Sequence, residues 1–215
     1  LEAKRGDLDK AREMLAQLRD QWKDEGVLLF MLEAEMLDDL ERKSDALSAY
    51  SEALDAYPGN LDLRYARALH AAGMQQLEIV EGDLRFILDK DPDHADALNA
   101  LGYTLADQTD RYQEALSLIE RALALKPDDA AVLDSMGWVQ FRLGNLDEAK
   151  RYLRRALEKL TDGEIAAHLG EVLWAKGQRE AAWRVWEEAL AAQPDHNYLL
   201  RVIGRHRFSR SDAKP

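Results

Sequence analysis

The feature that most constrains this chain is a repeat of about 34 residues. Pro58 and Pro92 are 34 apart, and Pro92 and Pro127 are 35 apart. Gly102 and Gly137 are separated by 35 residues, Gly137 and Gly170 by 33. Small residues keep the same step. Ala46, Ala115, Ala149 and Ala182 are each followed seven residues later by Ala53, Ala122, Ala156 and Ala189. A larger residue stands between each pair: Tyr50, Ile119, Leu153 and Trp186. One unit of this length cannot bury its apolar face alone, so such units must stack on their neighbours.

The chemistry at each position describes a helix–turn–helix. Leu101-Gly102, Met136-Gly137 and Leu169-Gly170 set a large residue beside a glycine on the first helix, where the glycine admits a second helix at close range. The alanines of the second helix do the same from the other side. Gly144-Asn145 and Gly177-Gln178 supply turns. Pro92-Asp93, Pro127-Asp128 and Pro194-Asp195 end one unit and start the next. Ala, Leu, Glu, Asp and Arg dominate, and there are only 5 prolines in 215 residues, which is helix-forming material. The 47% hydrophobic content suffices for a substantial core.

Several function classes lose support. There is no GxGxxG, P-loop, HExxH or GxSxG. His70, His94, His168, His196 and His206 never fall three or four apart, so no helical histidine pair is set to hold a metal. His94 and His196 follow Pro-Asp in inter-repeat turns, where an exposed or capping role suffices. Asp38-Asp39, Asp128-Asp129 and Glu187-Glu188 are adjacent residues, which do not face each other across a cleft as a glycosidase requires. Asp162-Gly163-Glu164 lacks the spacing of a calcium loop. No cysteine is present, so thiolate chemistry is excluded. The net charge of −12 argues against nucleic acid. No run of 18 apolar residues could form a membrane-spanning helix. An enzyme, a catalytic residue, a metal and a cofactor are therefore not expected. The chain opens LEAKRGDLDKA without Met and reads as cut from a longer one, so the lack of a signal peptide says nothing about the parent protein.

The C-terminus departs from the acidic whole. Arg201, Arg205, Arg207, Arg210 and Lys214 against Asp212 give a local charge of +4, leaving −16 upstream. Arg201, Arg205, Arg207 and Arg210 form either a solvated terminal helix or a secondary basic patch for an acidic neighbour. Residues 210–215 are expected to be a flexible tail.

This pattern resembles the tetratricopeptide repeat family over nearly the whole chain. The resemblance implies an all-α, right-handed superhelical solenoid of antiparallel helix pairs, read as a single array over residues 1–209. Residues 1–22 read as the second helix of a partial repeat, with Ala11, Leu15 and Leu18. Repeats follow at about 27–60, 61–94, 95–129, 130–162 and 163–196, with a terminal first-type helix at 197–209 carrying Ile203-Gly204. The 61–94 unit departs most, with Val80 and Ile87 in place of Ala and no clean Leu-Gly pair. A closed bundle, or two arrays hinged near 73–80, are the other architectures.

In this family the first helices line a concave face that usually holds a segment of another protein. The resemblance thus implies a binding groove containing Tyr65, Asn99, Tyr103, Asp134, Trp138, Phe141, Arg142 and Trp174. Helical spacing puts Asp134, Trp138, Phe141 and Arg142 on one side. With Tyr103 and Trp174 they would form an aromatic stripe, of the kind that often dominates binding energy. Trp138 and Phe141 have the alternative of packing between helices, and Trp183 and Trp186 are expected in the core. Tyr103, Trp138 and Glu171 stand where a chaperone-type carboxylate clamp would need a polar amide, so that subtype is not expected.

A closer resemblance lies in GNLDEAKRYLRRALEKLTDGEIAAHLGEVLWAKGQREAAWRVWEEAL and the preceding LNALGYTLADQTDRYQEALSLIERALALKPDDAAVLDSMGWVQFRLG. These look like the C-terminal repeats of proteobacterial outer-membrane lipoproteins, in particular adaptors that bind a periplasmic carboxy-terminal processing protease. That resemblance implies a non-enzymatic adaptor. It would bind a carboxy-terminal processing serine protease, promote its activity and present cell-wall (peptidoglycan) hydrolases as substrates. It would lie in the periplasm, tethered through an upstream lipidated region, with no membrane contact encoded here. A cytoplasmic assembly scaffold of the same fold and a self-associating module remain the alternatives.

Overall fold

A computed structural model describes residues 7–206. They form an all-α arrangement of paired antiparallel helices. The chain divides into two compact units, residues 1–92 and 93–215. In the first, α1 (Leu8–Gln21) precedes a short 3₁₀ turn and the hairpins α2 (Gly26–Asp39)–α3 (Lys43–Ala56) and α4 (Leu61–Gly73)–α5 (Leu77–Lys90). In the second, the hairpins are α6 (Ala95–Gln108)–α7 (Tyr112–Leu125), α8 (Ala130–Arg142)–α9 (Leu146–Lys159) and α10 (Gly163–Ala175)–α11 (Arg179–Ala192). The single helix α12 (Asn197–His206) closes it against α10 and α11.

One contact repeats through the second unit. The large residue at the centre of each second helix lies on the glycine at the centre of its first helix. A Cβ on Gly102 would come 2.6 Å from Ile119 Cγ1, and one on Gly137 would come 2.5 Å from Leu153 Cγ. At Gly170 it would overlap the Trp186 indole. The flanking alanines Ala115, Ala122, Ala149, Ala156 and Ala182 are fully buried. Backbones therefore approach closely enough for the hairpin to bury its seam without a thick side-chain layer. Gly144 and Gly177 turn their hairpins with φ of +84° and +72°. The first unit makes the corresponding turns with Glu41 and Gln75, both at φ 58°, a conformation that costs a side-chain-bearing residue about 1–2 kcal/mol.

Helix starts are capped where the sequence changes unit. Asn60 accepts from the Leu63 N–H at 2.9 Å, Asp129 from Val132 at 3.0 Å and Asp162 from Glu164 at 2.8 Å. His94 and His196 take the same role through Nδ1, accepting from Ala97 and Leu199. Such caps contribute about 1 kcal/mol each.

The first unit also holds two buried carboxylates, each between two arginines. Glu33 of α2 receives Arg12 at 2.7 Å and Arg19 at 2.6 Å from α1. Asp83 of α5 receives Arg64 and Arg67 of α4, both at 2.7 Å. Here the 61–94 unit compensates for its missing Leu-Gly pair. Val80 and Ile87 are fully buried where other units have alanine, and Arg67 reaches past Asp83 to the Ser51 hydroxyl.

Two outcomes follow for stability. Gly137→Ala is expected to destabilise the chain by about 1–3 kcal/mol, read as a lower denaturant midpoint, because Leu153 must leave its seat. Asp83→Ala, which strands two guanidinium groups, is expected to cost about 3 kcal/mol by the same measurement.

Candidate functional site

In the second unit α6, α8, α10 and α12 form one layer and α7, α9 and α11 the other. The first-helix layer collects most of the polar and aromatic residues that the sequence singles out. At its centre is His168 on α10, with no exposed surface. Its Nδ1 lies 2.9 Å and 3.0 Å from the two carboxylate oxygens of Asp134 on α8. Its Nε2 lies 3.2 Å from the Tyr198 hydroxyl on α12. The Trp138 indole stacks on the imidazole at 4.3 Å between ring centres. One buried ring thus joins three successive first helices.

Tyr103 of α6 extends the network. Its hydroxyl donates to Glu164 Oε1 on α10 at 2.8 Å, bridging 61 residues of chain and passing over α8. Its ring lies 6.1 Å from that of His168. Beyond Trp138, Phe141 packs at 5.2 Å. Towards the C-terminal end, Trp174, Trp186 and His206 stack together, and Trp183 meets Trp186 edge-on at 5.4 Å. Glu171 accepts from Arg205 at 3.0 Å and stands 3.8 Å from His206 Nε2.

Protonation follows from these surroundings. Burial is the largest influence on His168 and opposes its charge. The Asp134 carboxylate and its hydrogen bond, with Glu164 and Glu171 behind them, prevail, and the imidazole is held above its ordinary value. The His206 imidazole is pushed down, chiefly by burial, against the attraction of Glu171. Burial and then Glu164 and Asp134 drive the Tyr103 phenol far up, and burial followed by Glu171 does the same for Tyr198. Both remain phenols and serve as hydrogen-bonding groups.

The expected groove residues meet different fates. Asp134 and Trp138 are buried, at 7% and 6% exposure, as floor rather than open surface. Tyr103, Phe141 and Trp174 are half-buried. Arg142 is committed within the unit: it donates to the Asp107 carbonyl at 3.0 Å and to the Tyr112 hydroxyl at 2.7 Å. Asn99 is half-buried beside this network on α6. Tyr65 is half-buried on α4 in the first unit. Trp186 is fully buried and Trp183 partly so. In the basic patch, Arg201 lies 5.7 Å over the Tyr198 ring and Arg205 is held by Glu171, while Arg207 and Arg210 lie outside the described residues. Among the described residues no group of three His, Asp or Glu could hold a metal ion.

His168, Glu164 and His206 help carry the site and stand outside the expected groove, whereas Tyr198 occupies a groove-type position on the terminal helix. A signal was present. Asp134 and His168 are 34 residues apart, as are Glu171 and Arg205. That is one repeat, the spacing that sets side chains beside each other on adjacent first helices.

Tyr103→Phe removes the bridge over α8 and leaves Glu164 without its donor. We expect a loss of about 1–2 kcal/mol in the unfolding free energy of this unit, measured by denaturant titration, with helical content unchanged.

Known proteins fit this geometry. Tetratricopeptide-repeat family models match residues 1–61 and 93–162. A TPR repeat-containing protein of Pseudomonas aeruginosa is 48% identical over 168 residues, which is 78% of this chain and 28% of that protein. The chain therefore spans under a third of that relative's length. A tetratricopeptide repeat protein from Parabacteroides merdae superposes with a TM-score of 0.78 at 17% identity, covering 98% of this chain and 83% of that one. A thermophilic TPR protein of Thermus thermophilus gives 0.73 at 23% identity, covering 83% and 97%. Paired helices seated glycine on large residue, repeated at this period and matched by these relatives, make the chain a member of the tetratricopeptide-repeat family, a scaffold of the protein-binding kind.

Proposed function

We propose that this chain is the protein-binding part of a periplasmic adaptor, tethered to the outer membrane through an upstream lipidated region. Its partner would be a carboxy-terminal processing serine protease, whose activity it promotes while presenting peptidoglycan hydrolases as substrates. The finer reading is supported by the resemblance of residues 98–190 to such lipoprotein adaptors.

The observation that carries the binding reading is the make-up of the first-helix layer in the second unit. Tyr103, Asp134, Trp138 and His168 form a floor locked by its own hydrogen bonds and ring contacts. Asp107, Ala131 and Ala175 are exposed around it, with Asp96, Asn99 and Phe141 half-buried. A floor that is ordered before binding loses little freedom when a partner arrives, and more of the contact energy appears as affinity. Asp107 would steer a basic segment towards it, while Asp96 is paired with Lys126 at 2.7 Å.

The test is capture by the immobilised chain from periplasmic and cytosolic extracts, with retained proteins identified by mass spectrometry. Ala131→Arg, which adds bulk at an exposed position and leaves the floor intact, is the paired control. Retention of a carboxy-terminal processing protease or a peptidoglycan hydrolase, reduced at least about tenfold by the substitution, is expected for a blocked contact worth about 1.4 kcal/mol. Retention of cytosolic proteins alone would overturn the compartment. Equal retention by the variant would move the contact off this face.

A further inference from the structure

We infer that Asp134, His168 and Tyr198 form a proton-controlled clasp that holds α12 on the first-helix layer of the second unit. It assigns a regulation to the face described above and rests on that reading for its biological meaning, though the clasp itself needs no partner.

The geometry gives each member a distinct task. Asp134 on α8 meets both of its carboxylate oxygens at one imidazole nitrogen, 2.9 Å and 3.0 Å away. Tyr198 on α12 meets the other nitrogen at 3.2 Å. With His168 charged, both nitrogens donate, and the buried carboxylate faces an opposite charge. With His168 neutral, one nitrogen still donates to Asp134 and the other accepts from the Tyr198 hydroxyl. The hydrogen bonds survive, but a negative charge is left buried without compensation, an expensive state. Tyr198 is the half-exposed member of the three, and water reaches the clasp most easily on its side.

The groups facing His168 reinforce this direction. From α6 comes the un-ionised Tyr103; from α8, Asp134; from α10 itself, Glu164 and Glu171; from α12, Tyr198, with Arg205 offsetting Glu171 but neither Asp134 nor Glu164. The second-helix layer meets α10 through Leu153, Ala156, Trp186 and Ala189, none of them charged. The nearby field is therefore negative, and the imidazolium is its counterweight. The remaining ties of α12 are Arg205 on Glu171, the stack of His206 on Trp174 and Trp186, and the buried Leu199 and Val202.

The sign of the pH effect follows from the buried Asp134 carboxylate, which α12 covers at least cost while His168 is charged, and the imidazole is held above its ordinary value. Its contribution to docking is present while the imidazole is charged and is lost as pH rises through the value it holds with α12 docked. His206 acts in the opposite sense. It is pushed down, so its contribution is present above about 6.5 and falls as pH drops through its folded value. Docking of α12 is strongest between these two limits. Undocking on the alkaline side opens the edge of α10 that carries His168, Glu171 and Trp174.

The chain has no cysteine, so one introduced thiol reports cleanly. Val202→Cys places it on α12 at a fully buried position. Its rate of modification, divided at each pH by the rate for the same chain unfolded in urea, measures undocking. Protection is expected to fall about fivefold or more between pH 6 and pH 9, the scale of one net charge-assisted interaction. Adding His168→Gln should abolish that fall. Tyr198→Phe, which removes a single hydroxyl, should lower protection severalfold already at pH 6. Protection that is flat with pH, or that falls equally in His168→Gln, would overturn the clasp. Should His168→Gln fail to fold by circular dichroism, unchanged protection in Tyr198→Phe would overturn it alone. No partner takes part, so this result and the capture result stand or fall separately.

Discussion

Everything else in the second unit depends on the seat of a large side chain on a bare backbone. Ile119 on Gly102, Leu153 on Gly137 and Trp186 on Gly170 draw each second helix against its first. The seam alanines let the backbones come close, and apolar area is buried by contact between helices rather than by a thick core. Because the seat lies at the middle of both helices, it sets their register. Register in turn decides which residues of the first helix face away from the hairpin, towards the neighbouring first helices. The polar and aromatic layer of the second unit follows from that choice.

The two units solve the same packing problem with different chemistry. The second relies on glycine seats and turns its hairpins at Gly144 and Gly177. The first turns at Glu41 and Gln75 and secures its helices with Glu33 and Asp83, each between two arginines. A buried carboxylate between two guanidinium groups is specific in direction and costly to disrupt, whereas a glycine seat is specific in shape. In the second unit polar groups are also buried, but they link one hairpin to the next. Tyr103 to Glu164 and Asp134 to His168 to Tyr198 cross from helix to helix within the first-helix layer. That face is consequently cross-linked at its floor and accessible at its rim.

An arrangement of this kind places ionisable groups where a soluble surface would not. His168 has no exposed surface and yet is held towards its charged form, because three carboxylates outweigh its burial. His206, beside only one, is held towards neutrality. Two imidazoles on one short stretch of the fold therefore respond to pH in opposite senses, and the terminal helix α12 is tied to both.

The amino-acid sequence by itself determined the helix pairs, their period and the seam that joins them. The proline and glycine spacings, the alanine pairs seven apart and the larger residue between them are local patterns, and local patterns dictate helical hairpins. The 61–94 unit could be seen to deviate, from Val80 and Ile87, but not how it recovers through Asp83, Arg64 and Arg67. Tertiary structure alone decided the character of the face. Trp138 and Asp134 stand at groove-type positions in the repeat, yet they are buried there by His168 arriving from the next unit. Arg142 looks free in sequence and is consumed by Asp107 and Tyr112. The physical reason is the same in each case. A repeat pattern tells which way a side chain leaves its own helix, whereas burial and charge are set by what the adjacent helix brings to meet it.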